Sequence, residues 1–522
     1  MKKITLLLML LTVVLSACGG AAPATTEPAA PPAEGAASPT AEAQATAAEV
    51  TAPAEATAEP SVGTEPSAAA APAAAAGTFT VLGALNRDTT QAALNPFLVV
   101  NPANTDDSGL WTVWAENVAG GPRQIFSSEF EGDSFQARGA SLNIHTNVAG
   151  DLPTITLAGE GGSVPWVAWV EPSPGFNDVV QVFASRFNAQ TGLWQQAGQD
   201  RGGGEASLNL QTNRNASHPF IFSGSGDPTS PPVPWVAWEE PSINSNAIQI
   251  FVSKGVKDDS GDAAVLGGFR WEPVGLLKAS EPTLNVDPFR SSFHPTGVFA
   301  ETNNAVPWVT WHEEGGDRPS RIFTARGVAD ANAPGGFKWI NVPACQPNDE
   351  TTCTLNINPL QDAKDASMAA GSLTAGESTV PWIAWPEIGQ NGKWQVFVSR
   401  LDTASRNSFL QVGASLNVDP NQDARTPIIA FVGNVPYVAW LEDDGTGKFK
   451  VQVRHLASDP QTGTWALDTP EGGFNVDLDV SDSGLAAAAS DNALIMAWTE
   501  GDPASSASQI VIGALSVGSE QP

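Results

Sequence analysis

Between residues 78 and 516 short apolar runs alternate with turns rich in Gly, Asn, Asp and Pro, and one run keeps returning. It first reads Trp111-Thr-Val-Trp114-Ala-Glu116 and recurs at Trp166–Glu171, Trp235–Glu240, Trp308–Glu313, Trp382–Glu387, Tyr437–Glu442 and Ile495–Glu500, at intervals of 55 to 74 residues. Eight to ten residues after each Glu comes a second apolar phrase, such as Gln181-Val-Phe or Gln395-Val-Phe. A third phrase, Leu-Asn or Phe-Asn, ends at Asn86, Asn143, Asn209, Asn285, Asn356, Asn417 and Asn475. In five copies a proline follows ten residues later, at Pro96, Pro153, Pro219, Pro295 and Pro427. Three linked phrases in seven copies define a repeat.

Each unit predicts four strands, here a to d. Strand a follows the proline, as in Ile428–Phe431; b is the Trp-x-x-Trp phrase; c is the Gln-Val-Phe phrase; d carries an aromatic before the next Leu-Asn. Both parities of strand b are apolar, so both of its faces should be buried. Four-stranded antiparallel units that stack face to face and close in a ring make a β-propeller. The expectation is an all-β chain with a single seven-bladed propeller over 78–516 and a tail at 517–522. The last unit has no strand d, whereas Phe79–Asn86 matches the d phrase Phe409–Asn417. An N-terminal strand completing the last blade would close the ring and cover a sheet edge.

The pattern ahead of residue 78 is different. Met1-Lys2-Lys3, an apolar run from Ile4 to Leu15 and Ser16-Ala17-Cys18 describe an export signal over 1–17, too short for a usual membrane span. Leu15-Ser16-Ala17-Cys18 resembles the bacterial lipobox, which implies acylation of Cys18 and a lipid anchor on the extracytoplasmic face of the cell envelope. Residues 18–77 are mostly Ala, Pro, Thr, Glu and Ser; they predict an uncollapsed tether with an r.m.s. span of roughly 40–45 Å.

Charge and chemistry narrow the function. With 25 basic against 56 acidic residues and a net charge of −31, a nucleic-acid partner is excluded. Of the three cysteines, Cys345 and Cys353 lie close enough to pair within one loop of an exported domain. Twelve of the 17 tryptophans fall in strand b and four in strand d, both interior settings; Trp394 alone lies off the pattern. The sevenfold Glu (Glu116, Glu171, Glu240, Glu313, Glu387, Glu442, Glu500) shares one end of the ring with the Leu-Asn turns. Its recurrence favours architecture, each carboxylate accepting backbone N–H bonds from a turn. The other reading is an acidic rim for a cationic ligand or Ca²⁺, with Asp88, Asp287, Asp419 and Asp477 as candidate calcium ligands. Longer d-to-Asn connections in the second, third and fourth units (195–208, 272–284, 340–355) are placed at that end, as are Phe176 and Trp394 in b–c hairpins. Together they mark the expected binding face. His218 and His294 share one repeat position before proline and read as scaffold.

The run of Leu-Asn, Pro-x-x-Ala, Val-Pro-Trp-Val-Ala-Trp-x-Glu and Gln-Val-Phe-Val-Ser-Arg resembles the repeats of bacterial surface propellers loosely grouped with sialidase-like proteins. The resemblance covers 78–516 and implies a fold rather than one activity. The Ser-x-Asp-x-Gly-x-x-Trp boxes of sialidases are absent, and the single tyrosine, Tyr437, fills a Trp slot instead of offering a nucleophile. Metalloprotease, phosphate-loop and nucleophile-elbow motifs are absent as well. The sequence therefore favours a monomeric, lipid-anchored binding module for a surface glycan, peptide or protein, with no catalytic residue assigned. A polysaccharide hydrolase or lyase and a structural envelope protein are the alternatives.

Overall fold

The computed structural model describes residues 77–517 except 102–108, 203, 276–280, 348, 459–462, 471–472, 477–478 and 505–507. The export signal, Cys18, nearly all of the tether, Asp477 and all but the first residue of the tail therefore lie outside the described residues.

Every repeat unit folds as an antiparallel meander, because two-sided apolar strands are joined by short polar turns. Among the described residues there are five separate four-stranded sheets, each in the order a-b-c-d: 93–100 to 134–137, 151–158 to 193–196, 217–224 to 269–273, 292–300 to 337–341, and 367–371 to 409–411. The sixth and seventh units do not separate in this way. Strands 424–432, 435–443, 449–456 and 465–467 belong to one eight-stranded sheet together with 480–489, 493–500, 509–516 and 78–84. One residue pair, Phe449 with Val480, joins the two halves. Thr78–Ala84 runs antiparallel to Gln509–Ser516, so the first described strand is hydrogen-bonded to the last.

Strand b is the dry centre of each unit. All seven residues of Leu110–Glu116 are buried, as is the whole of Ala493–Glu500. Eleven tryptophans of the repeated phrase are almost completely enclosed. Rings of this size bury 150–250 Å² each, worth about 4–6 kcal/mol apiece as an upper bound. Strand-d tryptophans join neighbouring units instead. Trp271 Nε1 donates to Ala197 O at 2.9 Å, Trp339 Nε1 to Val274 O at 3.2 Å, and Trp465 Nε1 to Val412 O at 3.0 Å. Each acceptor belongs to the preceding unit, so one indole both fills and staples the gap.

Strand a starts earlier than the sequence pattern suggests. In the sixth unit it spans Ala424–Val432, before and through Pro427, with a register shift between Arg425 and Ile428. Proline lacks an N–H, so the ladder skips the X-Pro pair and the strand bulges there. Successive a strands pack against one another, and 480–489 returns to 93–100, which closes the inner wall.

The described residues of the three long connections reach back to their own b–c hairpins. Each carries a buried or nearly buried acid: Glu205 bonds Ser173 Oγ and His145 Nε2, Glu281 bonds Ser242 Oγ and the Ile243 N–H, and Glu350 pairs with Arg290, Arg318 and Arg321. Within the last of them Cys345 and Cys353 are joined as a disulfide.

Candidate functional site

The inner wall contains a strained ring. At the bulge of strand a, Asn95, Leu152, His218, His294, Asp365 and Thr426 hold φ between 42° and 53°, and Gly484 takes the same place with φ 145°. Left-handed backbone costs a non-glycine residue roughly 1–2 kcal/mol. Six such residues in register are retained because the bulge and its packing over-determine them. All seven line a central cavity of about 430 Å³. Its wall is apolar, with Pro96, Phe97, Pro219, Phe220, Met368 and Ile428 among the lining residues. The imidazole, carboxylate and amide side chains of the lining belong to the bulge ring, with the hydroxyls of Thr154, Thr296 and Ser367 two residues further along; the ring lies towards the end carrying the sevenfold Glu, since Ser217 pairs with Glu239 and Ser292 with Glu313. An apolar recess of a few hundred Å³ with a few convergent polar groups is the usual form of a ligand site.

Polar chemistry concentrates on one arc of that ring. His218 and His294 occupy the same position in adjacent units, and their ring centroids are 4.3 Å apart. His218 Nδ1 lies 3.0 Å from Glu239 Oε2, and the other oxygen of Glu239 accepts the His294 N–H at 2.7 Å. His294 Nδ1 shares a hydrogen bond with Asp365 Oδ1. His312 completes the arc: its ring centroid is 5.4 Å from that of His294, and its Nδ1 accepts the Asp365 N–H at 3.4 Å. Glu239 and His312 side chains are 4 % exposed, whereas His218 and His294 keep 37 % and 40 % of their surface open. Two buried groups thus support two accessible imidazoles.

The environment separates their protonation. Burial opposes charge on His294, but the Asp365 hydrogen bond and the charges of Asp365 and Glu239 outweigh it, so this imidazole titrates above its ordinary range. Burial drives His312 down to about 3. Asp365 would be raised by burial, yet the His294 hydrogen bond and the surrounding positive charge hold it at about 2. The arc can therefore carry a proton on His294, accept one on a carboxylate, or offer several ligand atoms to a cation.

A second recess of about 410 Å³ opens beside the arc, lined by Lys364, Asp365, Pro386, Trp394 and 423–426. Lys364 Nζ lies 5.0 Å over the Trp394 ring, and the Trp394 N–H donates to Asp423 Oδ1 at 2.9 Å. Trp394 thus lines a recess that adjoins the channel mouth. Phe176 is half-buried against the loop of the second unit, where a Cβ on Gly202 would meet its ring at 3.6 Å.

The sevenfold carboxylates have another place. Glu116, Glu171, Glu240, Glu313, Glu387, Glu442 and Glu500 are at most 3 % exposed. Each accepts the indole N–H of the Trp two residues earlier, as Trp440 does for Glu442 at 2.8 Å. Each also accepts backbone N–H bonds from the turn after Leu-Asn: Val418 and Asp419 donate to Glu442 at 2.9 and 2.7 Å. The turn asparagine bridges on: Asn209 Oδ1 takes the Val182 N–H at 2.8 Å while its Nδ2 donates to Val180 O and Arg214 O. These carboxylates hold turns and are not offered to a ligand as a rim. The candidate calcium ligands are placed on their own turns. Asp88, Asp287 and Asp419 each cap their own turn, accepting from Thr90, Phe289 and Asn421. Among the described residues, the only groupings of three His, Cys, Asp or Glu close enough to share an ion are two that contain His294, and neither includes these aspartates. The sequence pattern alone does not distinguish the histidine arc from scaffold, because His218 and His294 fall at one repeat position before proline. Their shared repeat position was the available signal, since equal positions in consecutive units are neighbours on the inner wall.

The buried carboxylates also set a pH dependence. Burial raises Glu171, Glu240 and Glu313 to about 7, against their N–H partners, and shifts Glu387 and Glu442 upward as well. A carboxyl raised on folding binds its proton more tightly in the native state. Its contribution is present below the unfolded value near 4.5 and is lost as pH rises through the folded one. His312 acts oppositely, withdrawing stability as pH falls below about 6.5. With His294, whose raised value acts in the same direction as the carboxyls, six groups outweigh one, so the melting temperature should rise between pH 8 and pH 5.5. A melting temperature that is flat or falls over that interval contradicts this assignment.

No protein-family model and no characterised protein matches the sequence. Solved structures resemble its shape at low identity. A protein of unknown function from Dyadobacter fermentans aligns over 84 % of this chain and 99 % of its own, at 11 % identity and a TM-score of 0.42. A Trypanosoma rangeli sialidase in complex with sialic acid aligns over 74 % of this chain and 56 % of its own, at 9 % identity and a TM-score of 0.40. A puromycin-hydrolysing peptidase of Mycobacterium tuberculosis aligns over 83 % and 54 %, at 11 % identity and a TM-score of 0.43. The chain thus spans little more than half the length of the sialidase and the peptidase, and no activity of theirs is carried over to it.

Proposed function

We propose that this chain is a seven-bladed propeller, anchored outside the membrane by acylated Cys18, whose channel mouth binds a hydroxyl-rich surface ligand such as a glycan terminus without turning it over. The count of seven treats the eight-stranded sheet as two blades touching at the Phe449–Val480 pair, in keeping with seven sequence units and a closed inner wall of a strands. The cavity of about 430 Å³ carries the reading: an apolar floor for a sugar face sits beneath a mouth that mixes imidazole, carboxylate, amide and hydroxyl groups. Net acidity of the chain agrees with a ligand that is neutral or cationic rather than polyanionic.

The test is retention on a glycan array by the full chain and by Thr426→Trp, which fills the mouth from the bulge ring. Retention that is lost in the variant supports the site. Retention of peptides instead of glycans, or glycan retention that Thr426→Trp leaves intact, contradicts it. A chain with Cys18→Ala should lose acyl labelling, and persistent labelling contradicts the anchor. A second reading, a polysaccharide hydrolase, draws on a single observation: His294, Asp365 and Glu239 form a proton-transfer arrangement within one cavity. Release of reducing ends from a retained glycan would favour that reading.

A further inference from the structure

We propose that His218, Glu239 and His294 form a binding site for one divalent transition metal of the zinc class, with Asp365 orienting His294 from behind. This goes beyond the ligand reading, because it concerns the ion alone. One nitrogen of each histidine and one carboxylate oxygen of Glu239 lie within 4.8 Å of one another. Ligands at 2.0–2.1 Å in a tetrahedral shell are about 3.3 Å apart, so from a 4.8 Å spread the site must contract by up to about 1.5 Å. The two imidazoles can make that movement, since each keeps more than a third of its surface free.

The supporting shell is already built. Glu239 is buried and fixed by the His294 N–H at 2.7 Å, which leaves its second oxygen on the His218 side at 3.0 Å. His294 Nδ1 is engaged by Asp365, so its other nitrogen serves as the ligand. A carboxylate behind a ligating histidine fixes the ring and raises its basicity, the arrangement commonly found around bound metals. Two imidazoles and a carboxylate suit zinc and its neighbours rather than calcium or magnesium, which take oxygen ligands. Three protein ligands leave one position open towards the cavity, where a donor atom of an incoming molecule can complete the shell.

His312 and Asp365 make a competing trio with His294, but His312 Nδ1 already accepts the Asp365 N–H, and its ring is 4 % exposed. The arc therefore favours the His218 side. The experiment titrates Zn²⁺ into the full chain, purified in detergent and stripped with a chelator, by calorimetry, with Co²⁺ absorption as a second probe. One equivalent should bind, and Co²⁺ should show the intense visible bands of a tetrahedral site. His218→Ala or His294→Ala should abolish this equivalent, Asp365→Asn should weaken it about 10–100-fold, and His455→Ala should leave it unchanged. Glu239→Gln should abolish it as well; both exposed histidines can be truncated without opening the interior, so the test survives if that buried variant fails to fold. Absence of a stoichiometric Zn²⁺ equivalent overturns the site. So does Zn²⁺ binding unaffected by His218→Ala but lost in His312→Ala, or displacement by equimolar Ca²⁺.

Discussion

A chain that begins at residue 87 should lose the cooperative unfolding transition that a chain beginning at residue 77 retains. The shorter chain lacks the strand Thr78–Ala84, which supplies the outer ladder to Gln509–Ser516. It also loses Phe79, whose ring centroid is 4.7 Å from that of Phe474 and 6.1 Å from that of Trp498. Asn86 goes too; its Oδ1 accepts the Ile510 N–H at 2.9 Å and its Nδ2 donates to Ser508 O at 3.0 Å. Unlike an internal strand, this segment joins the two ends of the folded region, so its loss leaves the first unit held against the last only by the packing of 93–100 on 480–489 and its neighbours. An unpaired apolar edge would remain, open to pairing between molecules. Phe79→Ala alone should cost roughly 2 kcal/mol, less than the 3–5 kcal/mol of a fully buried phenylalanine, because the ring is half-exposed. Deletion of the strand should cost far more, and a synthetic peptide of residues 77–86 should restore part of it by adding back the strand. An unchanged denaturation curve for the chain beginning at 87 would show that the pairing does not close the fold.

That strand was legible in the sequence because repetition supplies its own control. Phe79–Asn86 could be matched to Phe409–Asn417 with a single gap, and the missing fourth strand after Leu515 told where it belonged. The same control identified the Glu of strand b as an architectural acceptor, since a single ligand site has no use for seven equivalent carboxylates. The bulge was less visible. Proline marked it in five units, but the chain enters strand a before the proline, and the fifth unit has Asp365-Ala366 in its place. Without the proline, only the spacing from Asn209, Asn285 and Asn356, nine residues in each case, aligned Asp365 with His218 and His294, and their cluster stayed hidden. Residues 71 positions apart meet there through a backbone shape, left-handed φ at the bulge, that no periodicity of apolar residues reports. The contact between the sixth and seventh units is a further example. One bridging pair, Phe449 with Val480, suffices to merge two sheets, and it lies outside the repeated phrases.

Replacing a single architectural carboxylate should be among the most damaging point changes in the protein, and Glu442→Ala is the clearest case. Its carboxylate is 3 % exposed and accepts three bonds, from the Val418 N–H at 2.9 Å, the Asp419 N–H at 2.7 Å and Trp440 Nε1 at 2.8 Å. Alanine removes the acceptor and leaves three donors in a dry interior. An unmet buried donor costs about 1–3 kcal/mol, so the loss should reach roughly 3–6 kcal/mol after relaxation. Glu442→Gln should be milder, because its amide oxygen can still serve part of the set while its NH₂ faces a donor. Trp440→Phe removes the indole donor together with some buried area. In the double variant Trp440→Phe/Glu442→Ala the missing acceptor then has one donor fewer to strand. The two losses should therefore combine to less than their sum by about 1 kcal/mol or more, the signature of a direct interaction. Denaturant unfolding of the four chains measures this cycle. Additive losses, or a Glu442→Ala cost below about 1 kcal/mol, would mean that the turn finds other acceptors and that the sevenfold carboxylate does not hold the Leu-Asn turns in place.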